Sequence, residues 1–152
     1  MIYLIGALAF VVLEWKIKSR VEEKNCNLNL WHGRIWIHPC RNYGLIFGLF
    51  QNVKHLAAIV QCGVLLIFSI ICIPVLFMKR FRYGLKLGSA LLLGGALGNV
   101  ADRLFRGYVV DYIRFPKVRF KKFARLVFNL ADFLILAGSV LMAIFALAGE
   151  KK

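Results

Sequence analysis

The stretch that decides the fold is residues 56–78, LAAIVQCGVLLIFSIICIPVLFM. It holds 23 residues without a charged side chain, and Gln61, Ser69 and Pro74 are its main interruptions. A helix of about 20 apolar residues is long enough to cross the hydrocarbon core of a bilayer. The sequence therefore predicts a transmembrane helix here, in a protein whose solvent is lipid.

Three further apolar segments lie before and after this span in the sequence. They run over residues 2–17, 83–101 and 126–148. The first is short, and we expect Trp15, Lys16 and Lys18 to extend it into the headgroup layer. Hydrophobic residues make up 61% of the 152 positions, well above their share in soluble domains. The prediction is one all-α membrane domain, residues 1–152, with four transmembrane helices.

The third apolar segment is rich in glycine. Gly84 and Gly88, like Gly94 and Gly98, are four residues apart. Small residues at this spacing let two helices approach closely in lipid. We therefore expect this segment to pack tightly against a neighbouring helix.

The connection between the first two spans predicts a small β-structure. Leu28 and Leu30, then Ile35 and Ile37, alternate with other residues on the two sides of a His-Gly pair at 32–33. Such alternation around a short turn with glycine is typical of a β-hairpin. The predicted fold class is therefore an all-α membrane protein with a small β-cradle between its first and second helices.

The charge of the chain points to a membrane surface. The formal net charge is +14, and the cations lie mostly between the apolar segments. No stacking or basic-helix module is present, so we expect lipid headgroups and not nucleic acid as their partner. Residues 18–55 and 102–125 hold six and eight Lys/Arg, against four in residues 79–86 and two at the C-terminus. Taken literally, the positive-inside rule places the two long connections in the cytoplasm.

The cysteines and histidines offer no recognisable metal site. Cys62 and Cys72 lie inside an apolar segment and are interpreted as small buried hydrophobes. Cys26 and Cys40 lie in the first connection and could pair in an oxidising compartment, which the sequence leaves open. No CxxC or HExxH spacing is present, so we predict neither a metal site nor a cofactor.

The aspartates carry the candidate chemistry. The chain has three, Asp102, Asp111 and Asp132, all within a 31-residue window. Asp132 lies six residues into an apolar segment, where a carboxylate needs a partner or a role. If the last two spans pack side by side, Asp111 and Asp132 can meet at one membrane face. Two carboxylates in a low-dielectric site share a proton and can activate water for hydrolysis.

Each of these residues also has an ordinary structural interpretation. Asp102 is adjacent to Arg103 and four residues from Arg106, so a helix cap or an ion pair is its expected role. Asp132 is interpreted as too deep for a cap, and Asn129 precedes it by one turn on the same face. We predict a functional polar cluster, with a structural network that joins the spans as the alternative.

Four motifs then form a recognisable set. They are GALGNVADR at 95–103, GYVVDYI at 107–113, FNLAD at 128–132 and NYGLIFG at 42–48. The first two together resemble GxxGNxxDRxxxGxVxDF, and the others resemble FNxAD and NxGxxF[GS]. These are the signatures of the lipoprotein signal peptidase family, also called signal peptidase II. The resemblance covers nearly the whole chain, with all motifs in family order.

The resemblance implies a four-helix membrane aspartyl peptidase. It implies cleavage of bacterial prolipoproteins in the cell membrane, just before the cysteine that carries diacylglycerol. Asp111 and Asp132 are then the catalytic pair. The implied supporting or substrate-binding residues are Asn42, Gly44, Asn99, Asp102, Arg103 and Asn129. The cradle and the site are expected at the extracytoplasmic face, in conflict with the literal charge count.

Some positions depart from the family pattern. Glu14 and Trp15 stand where the family has an Asp-Gln pair, although Lys18 matches, and Tyr112 replaces the usual Phe. Residues 115–125 are unusually basic. These departures leave room for a divergent paralogue that works on a narrow set of precursors. A separate alternative is a non-catalytic paralogue that binds lipidated peptides on the same scaffold.

Overall fold

The computed structural model describes residues 1–45, 49–50, 52–53, 55–79 and 83–148. This part of the chain forms four long helices and a small sheet. The helices are α1 (Ile2–Glu23), α2 (Leu56–Phe77), α3 (Tyr83–Arg106) and α4 (Leu130–Leu147). The strands are β1 (Leu28–Leu30), β2 (Ile35–Asn42), β3 (Val109–Arg114) and β4 (Val127–Phe128). The end of the NYGLIFG motif, residues 46–48, lies outside the described residues.

The central helix is α3, against which the other three helices pack. A Cβ added to Gly95 would lie 2.5 Å from the carbonyl oxygen of Ala131 on α4. One added to Gly88 would lie 2.9 Å from the carbonyl oxygen of Gly138, also on α4. Only hydrogen fits at such distances, so the predicted close approach is confirmed, with α4 as a partner. Gly98 is less critical, because its Cβ would lie 3.9 Å from the Ala131 side chain.

The length and composition of the helices support a multi-pass membrane protein. Among the described residues, α2, α3 and α4 are long and apolar enough to cross a bilayer. The first helix has 22 residues, but Glu14, Lys16 and Lys18 interrupt its second half. The structure thus supports three candidate spans, whereas four were predicted. Lys18 does not extend into the headgroup layer as expected, because it is packed inside the protein with 1% of its surface exposed.

The four strands form one antiparallel sheet in chain order. β1 and β2 are the predicted hairpin around His32-Gly33. The prediction that the cradle comes from the first connection alone is incomplete, because β3 and β4 follow α3. Beyond the hairpin, β2 pairs with β3, which places Cys40 opposite Asp111. The sheet therefore joins the two long connections at one end of the helices.

Three helix ends differ from the predicted segments. The first helix continues past residue 17 to Glu23, and α3 continues past residue 101 to Arg106. Lys18 pairs with Asp102 and Glu22 with Arg106, so ion pairs join these two extensions. In contrast, α4 begins at Leu130 and not at residue 126, because the two residues of β4 pair with β3.

Candidate active site

The first turn of α4 holds Asp132. The Asn129 side-chain oxygen accepts a hydrogen bond from the Asp132 N–H at 3.0 Å, and Asp132 Oδ2 accepts one from the Asn129 N–H at 3.0 Å. This reciprocal pair is a capping box. The prediction that Asp132 is too deep for a cap is therefore wrong, because the helix starts later than the apolar run. Its other oxygen, Oδ1, accepts a hydrogen bond from Asn99 Nδ2 of α3 at 2.8 Å.

The second aspartate of the predicted pair, Asp111, lies in β3 with 4% of its surface exposed. Its oxygens accept hydrogen bonds from Asn42 Nδ2 at 2.9 Å and from Asn129 Nδ2 at 2.6 Å. Asn129 therefore contacts both aspartates, since its oxygen caps the helix of Asp132 and its nitrogen donates to Asp111. Through this one side chain, the structure brings the two acidic residues together where β3 meets α4.

The electrostatics of Asp111 suit acid–base chemistry. Its pKa is raised to about 7, first by burial and then by the charge of Asp132. The hydrogen bonds from Asn42 and Asn129 oppose this rise, because they stabilise the carboxylate. Near neutral pH the pair can hold one proton between two carboxyl groups. In that state one member can accept a proton from water while the other donates one.

Asp102 is buried and pairs with a cation from another helix. Lys18 Nζ of α1 lies 2.8 Å from Asp102 Oδ2, and the Val110 N–H of β3 donates to the same oxygen at 3.3 Å. Arg106 Nε lies 3.3 Å from the other oxygen. Lys18 also donates to Asn99 Oδ1 at 2.9 Å. This contact orients the Asn99 amide, whose nitrogen donates to Asp132. The expected ion-pair role of Asp102 is confirmed, and it ties α1 and α3 to the start of β3.

Arg103 holds the turn that follows β2. Its guanidinium donates to the carbonyl oxygens of Asn42, Tyr43 and Gly44 and to the side chain of Gln61 on α2. The Gly44 N–H donates to Asn42 Oδ1 at 3.1 Å, and the Asn42 side-chain nitrogen donates to Asp111 of β3. The arginine therefore positions Asn42 by binding its backbone carbonyl and those of the two residues that follow it.

Two buried charges on α1 belong to the same network but were not among the predicted site residues. Glu14 is fully buried and accepts hydrogen bonds from the Tyr112 hydroxyl and the Leu130 N–H, both at 3.1 Å. Lys18 lies 3.9 Å from Glu14, one helical turn away. An acid and a base four residues apart, where the apolar part of α1 ends, were a usable signal, because such charges rarely face lipid. Lys18 was interpreted as a headgroup anchor instead.

The cysteines complete the description of the site. Among the described residues, Cys26 and Cys40 are free thiols, so the pairing that the sequence left open is absent. Cys40 is exposed on β2, but partial desolvation by its neighbours and then the charge of Asp111 raise the pKa of its thiol. Within the same part of the chain, no group of three or more His, Cys, Asp and Glu side chains is arranged to hold a metal ion.

Comparison with known proteins gives a consistent family match. The family model described as Signal peptidase (SPase) II matches residues 6–148. Lipoprotein signal peptidases of Serratia marcescens, Chlamydia pneumoniae and Caldicellulosiruptor bescii are 36%, 30% and 31% identical to the chain. The alignments cover 76%, 88% and 97% of this chain and 65%, 83% and 91% of the relatives. The matched part thus spans just under two thirds of the Serratia relative.

Solved structures show the same fold. One structure of a bacterial membrane enzyme has a TM-score of 0.80 to this chain at 22% identity, and the match covers 99% of this chain and 91% of that one. A second such structure has a TM-score of 0.78 at 22% identity. The arrangement of helices and sheet is therefore one that bacterial membrane enzymes adopt.

Proposed function

The chain belongs to the signal peptidase II family, and from that premise we propose that it is an aspartyl endopeptidase of prolipoproteins. It removes the signal peptide of diacylglyceryl-modified precursors on the N-terminal side of the lipidated cysteine. The observation that carries this proposal is the bridge by Asn129 between Asp111 and Asp132. Burying a pair of carboxyl groups lowers the stability of the fold, and a role in hydrolysis explains why the pair is present.

The proposed mechanism uses the carboxyl pair as one acid–base unit. The ionised member takes a proton from a water molecule as that water attacks the scissile carbonyl carbon. The protonated member donates to the carbonyl oxygen, and a proton then passes to the leaving amine as the C–N bond breaks. Asn42, Asn99 and Asn129 hold the carboxyl groups at fixed positions, so no side chain needs to reorient during the step.

The proposed setting is the cytoplasmic membrane of a bacterium, with the site at the extracytoplasmic face. In this arrangement α1 crosses the membrane as a fourth helix, with Glu14 and Lys18 turned towards α3 and β3. The apolar outer faces of α2 and α4 contact lipid. The acyl chains of the substrate lie between helices, and its cysteine reaches the carboxyl pair at the lipid–water boundary.

The first prediction tests this function with the two aspartates. In reconstituted membranes, Asp111→Asn and Asp132→Asn should each lower the release of mature lipoprotein at least about a hundredfold, because neither variant retains the acid–base pair. Glu23→Gln is the matched control, since it makes the same carboxyl-to-amide change at an exposed residue at the end of α1. Near-normal turnover by either aspartate variant would refute the assignment.

The same preparations separate the alternative, a paralogue that only binds lipidated peptides. A binder needs no acid–base pair. The protein with neither aspartate substituted would then hold a diacylglyceryl-modified precursor without cleaving it. A precursor that lacks diacylglycerol serves as the substrate control. If the unmodified protein retains the lipidated precursor intact, the binding alternative replaces the peptidase.

A further inference from the structure

A basic arm connects β3 to β4; we define it as residues 115–125. It carries five cations, Lys117, Arg119, Lys121, Lys122 and Arg125, and no acidic residue lies between Asp111 and Asp132. Lys117 donates a hydrogen bond to the His32 carbonyl oxygen at 2.7 Å. The other four cations of the arm form no ion pair with any described residue. Their charge is available to a partner outside the chain.

The arm also exposes large apolar side chains. Phe120 is 75% exposed and Phe123 44% exposed. The hairpin turn, which Lys117 joins to the arm, adds Trp31 at 74% exposed. A surface that mixes bare aromatic rings with unpaired cations matches the composition of segments that lie in the membrane interface. The carboxylates of an acidic peptide would satisfy the cations, but they would not bury the exposed rings.

The position of the arm is fixed at one end of α4. The Phe123 ring packs against the Phe128 ring with centroids 5.3 Å apart, and Arg114 Nε donates to the Ala124 carbonyl oxygen at 2.8 Å. The apolar helix α4 begins at Leu130, five residues after Arg125. Where α4 enters the hydrocarbon core, the arm must therefore lie at the depth of the headgroups.

From these observations we propose that the arm and the hairpin turn bind a lipid surface with anionic headgroups. The unpaired cations contact the phosphates, and Phe120 and Trp31 enter the boundary between headgroups and acyl chains. This interaction is separate from peptide cleavage and does not depend on the proposed function. Each cation near an anionic surface strengthens binding about fivefold, so the arm is a substantial anchor beside the site.

Limited trypsin digestion tests the proposal without any turnover. The Asp111→Asn protein is placed in nanodiscs of phosphatidylcholine, with or without phosphatidylglycerol, and cleavage after residues 117, 119 and 125 is followed by mass spectrometry. We expect cleavage to be roughly tenfold slower with phosphatidylglycerol, and high salt to remove most of this protection. Lys121→Gln/Lys122→Gln should reduce the protection several-fold. Lys79→Gln/Lys86→Gln removes the same charge near the turn between α2 and α3, away from the arm, and should leave the protection unchanged.

Three results would overturn the proposal. The first is equal cleavage of the arm in neutral and anionic nanodiscs. The second is unchanged protection in the Lys121→Gln/Lys122→Gln protein. The third is protection in neutral nanodiscs by an added acidic peptide but not by anionic lipid, which would assign the surface to peptide recognition.

Discussion

At the scale of single residues, the site depends on amide side chains that each serve two groups. Asn129 caps α4 and donates to Asp111. Asn42 accepts from the Gly44 N–H and donates to the same carboxylate. Burial alone would drive Asp111 further towards its neutral form, and these donors limit that rise. The acid strength of Asp111 is therefore set partly by the amide side chains that bind it.

The role of Asn42 predicts a change in the pH profile. Its hydrogen bond lowers the pKa of Asp111, so Asn42→Ala should raise that pKa. The pair then keeps its proton to higher pH, and the alkaline limb of kcat/KM should move up by roughly one pH unit. Profiles of the variant and of Asn52→Ala, an exposed asparagine elsewhere, provide the measurement and its control. An alkaline limb that stays in place or moves to lower pH contradicts this role.

The apolar setting indicated Asp132, since few roles suit a carboxylate there. Asp111 was paired with it from the expected packing of the last two spans and from the family resemblance. The buried partner of Glu14 was not predictable, because Tyr112 lies 98 positions away in the sequence and only the fold brings its hydroxyl to the carboxylate. The structure shows that two of the departures from the family pattern, Glu14 and Tyr112, contact each other. A longer acid and an added hydroxyl form one hydrogen bond, which explains how both are accommodated.

At the scale of elements, the close contact of α3 and α4 sets the geometry of the site. The glycines at this contact let α4 lie directly against α3, so that Asn99 reaches Asp132. Gly95→Ala should lower the free energy of unfolding by about 1–3 kcal/mol, because its methyl group would collide with the backbone of α4. Unfolding in detergent mixtures measures the effect.

The matched control for this prediction is Gly63→Ala. Gly63 lies in α2, and a Cβ there would meet nothing within 4 Å. A helical Gly→Ala change without a clash leaves stability unchanged or raises it by up to about 1 kcal/mol. If the two variants are equally stable, the glycine contact does not determine the helix packing.

The sequence predicted most of the helix positions but not all of the strands. Apolar length located α2, α3 and α4, because a lipid solvent imposes that length. The start of α4 was misplaced, since Val127 and Phe128 are as apolar as the helix but pair with β3. β3 and β4 were missed because their pairing links residues distant in the chain. The capping role of Asp132 was missed for the same reason, as a cap is defined by where the helix begins.

At the scale of the whole molecule, orientation remains a prediction, because the charge count and the family pattern disagree. Cys40 provides a probe, as an exposed free thiol on β2 opposite Asp111. An impermeant maleimide should label Cys40 in intact cells, because we expect the sheet to lie outside the cytoplasm. Cys40→Ser is the control for labelling elsewhere. Labelling only after permeabilisation would place the sheet and the site in the cytoplasm.

The most direct measurement of the central claim, a proton shared by Asp111 and Asp132, is an infrared titration of the buried carboxyl groups. The unmodified protein should show a carboxyl that deprotonates with a pKa of about 7, and Asp111→Asn should lose it. In Asp132→Asn that pKa should fall below 7, because the neighbouring negative charge is gone. A titration of Asp111 that does not change in Asp132→Asn would contradict the account.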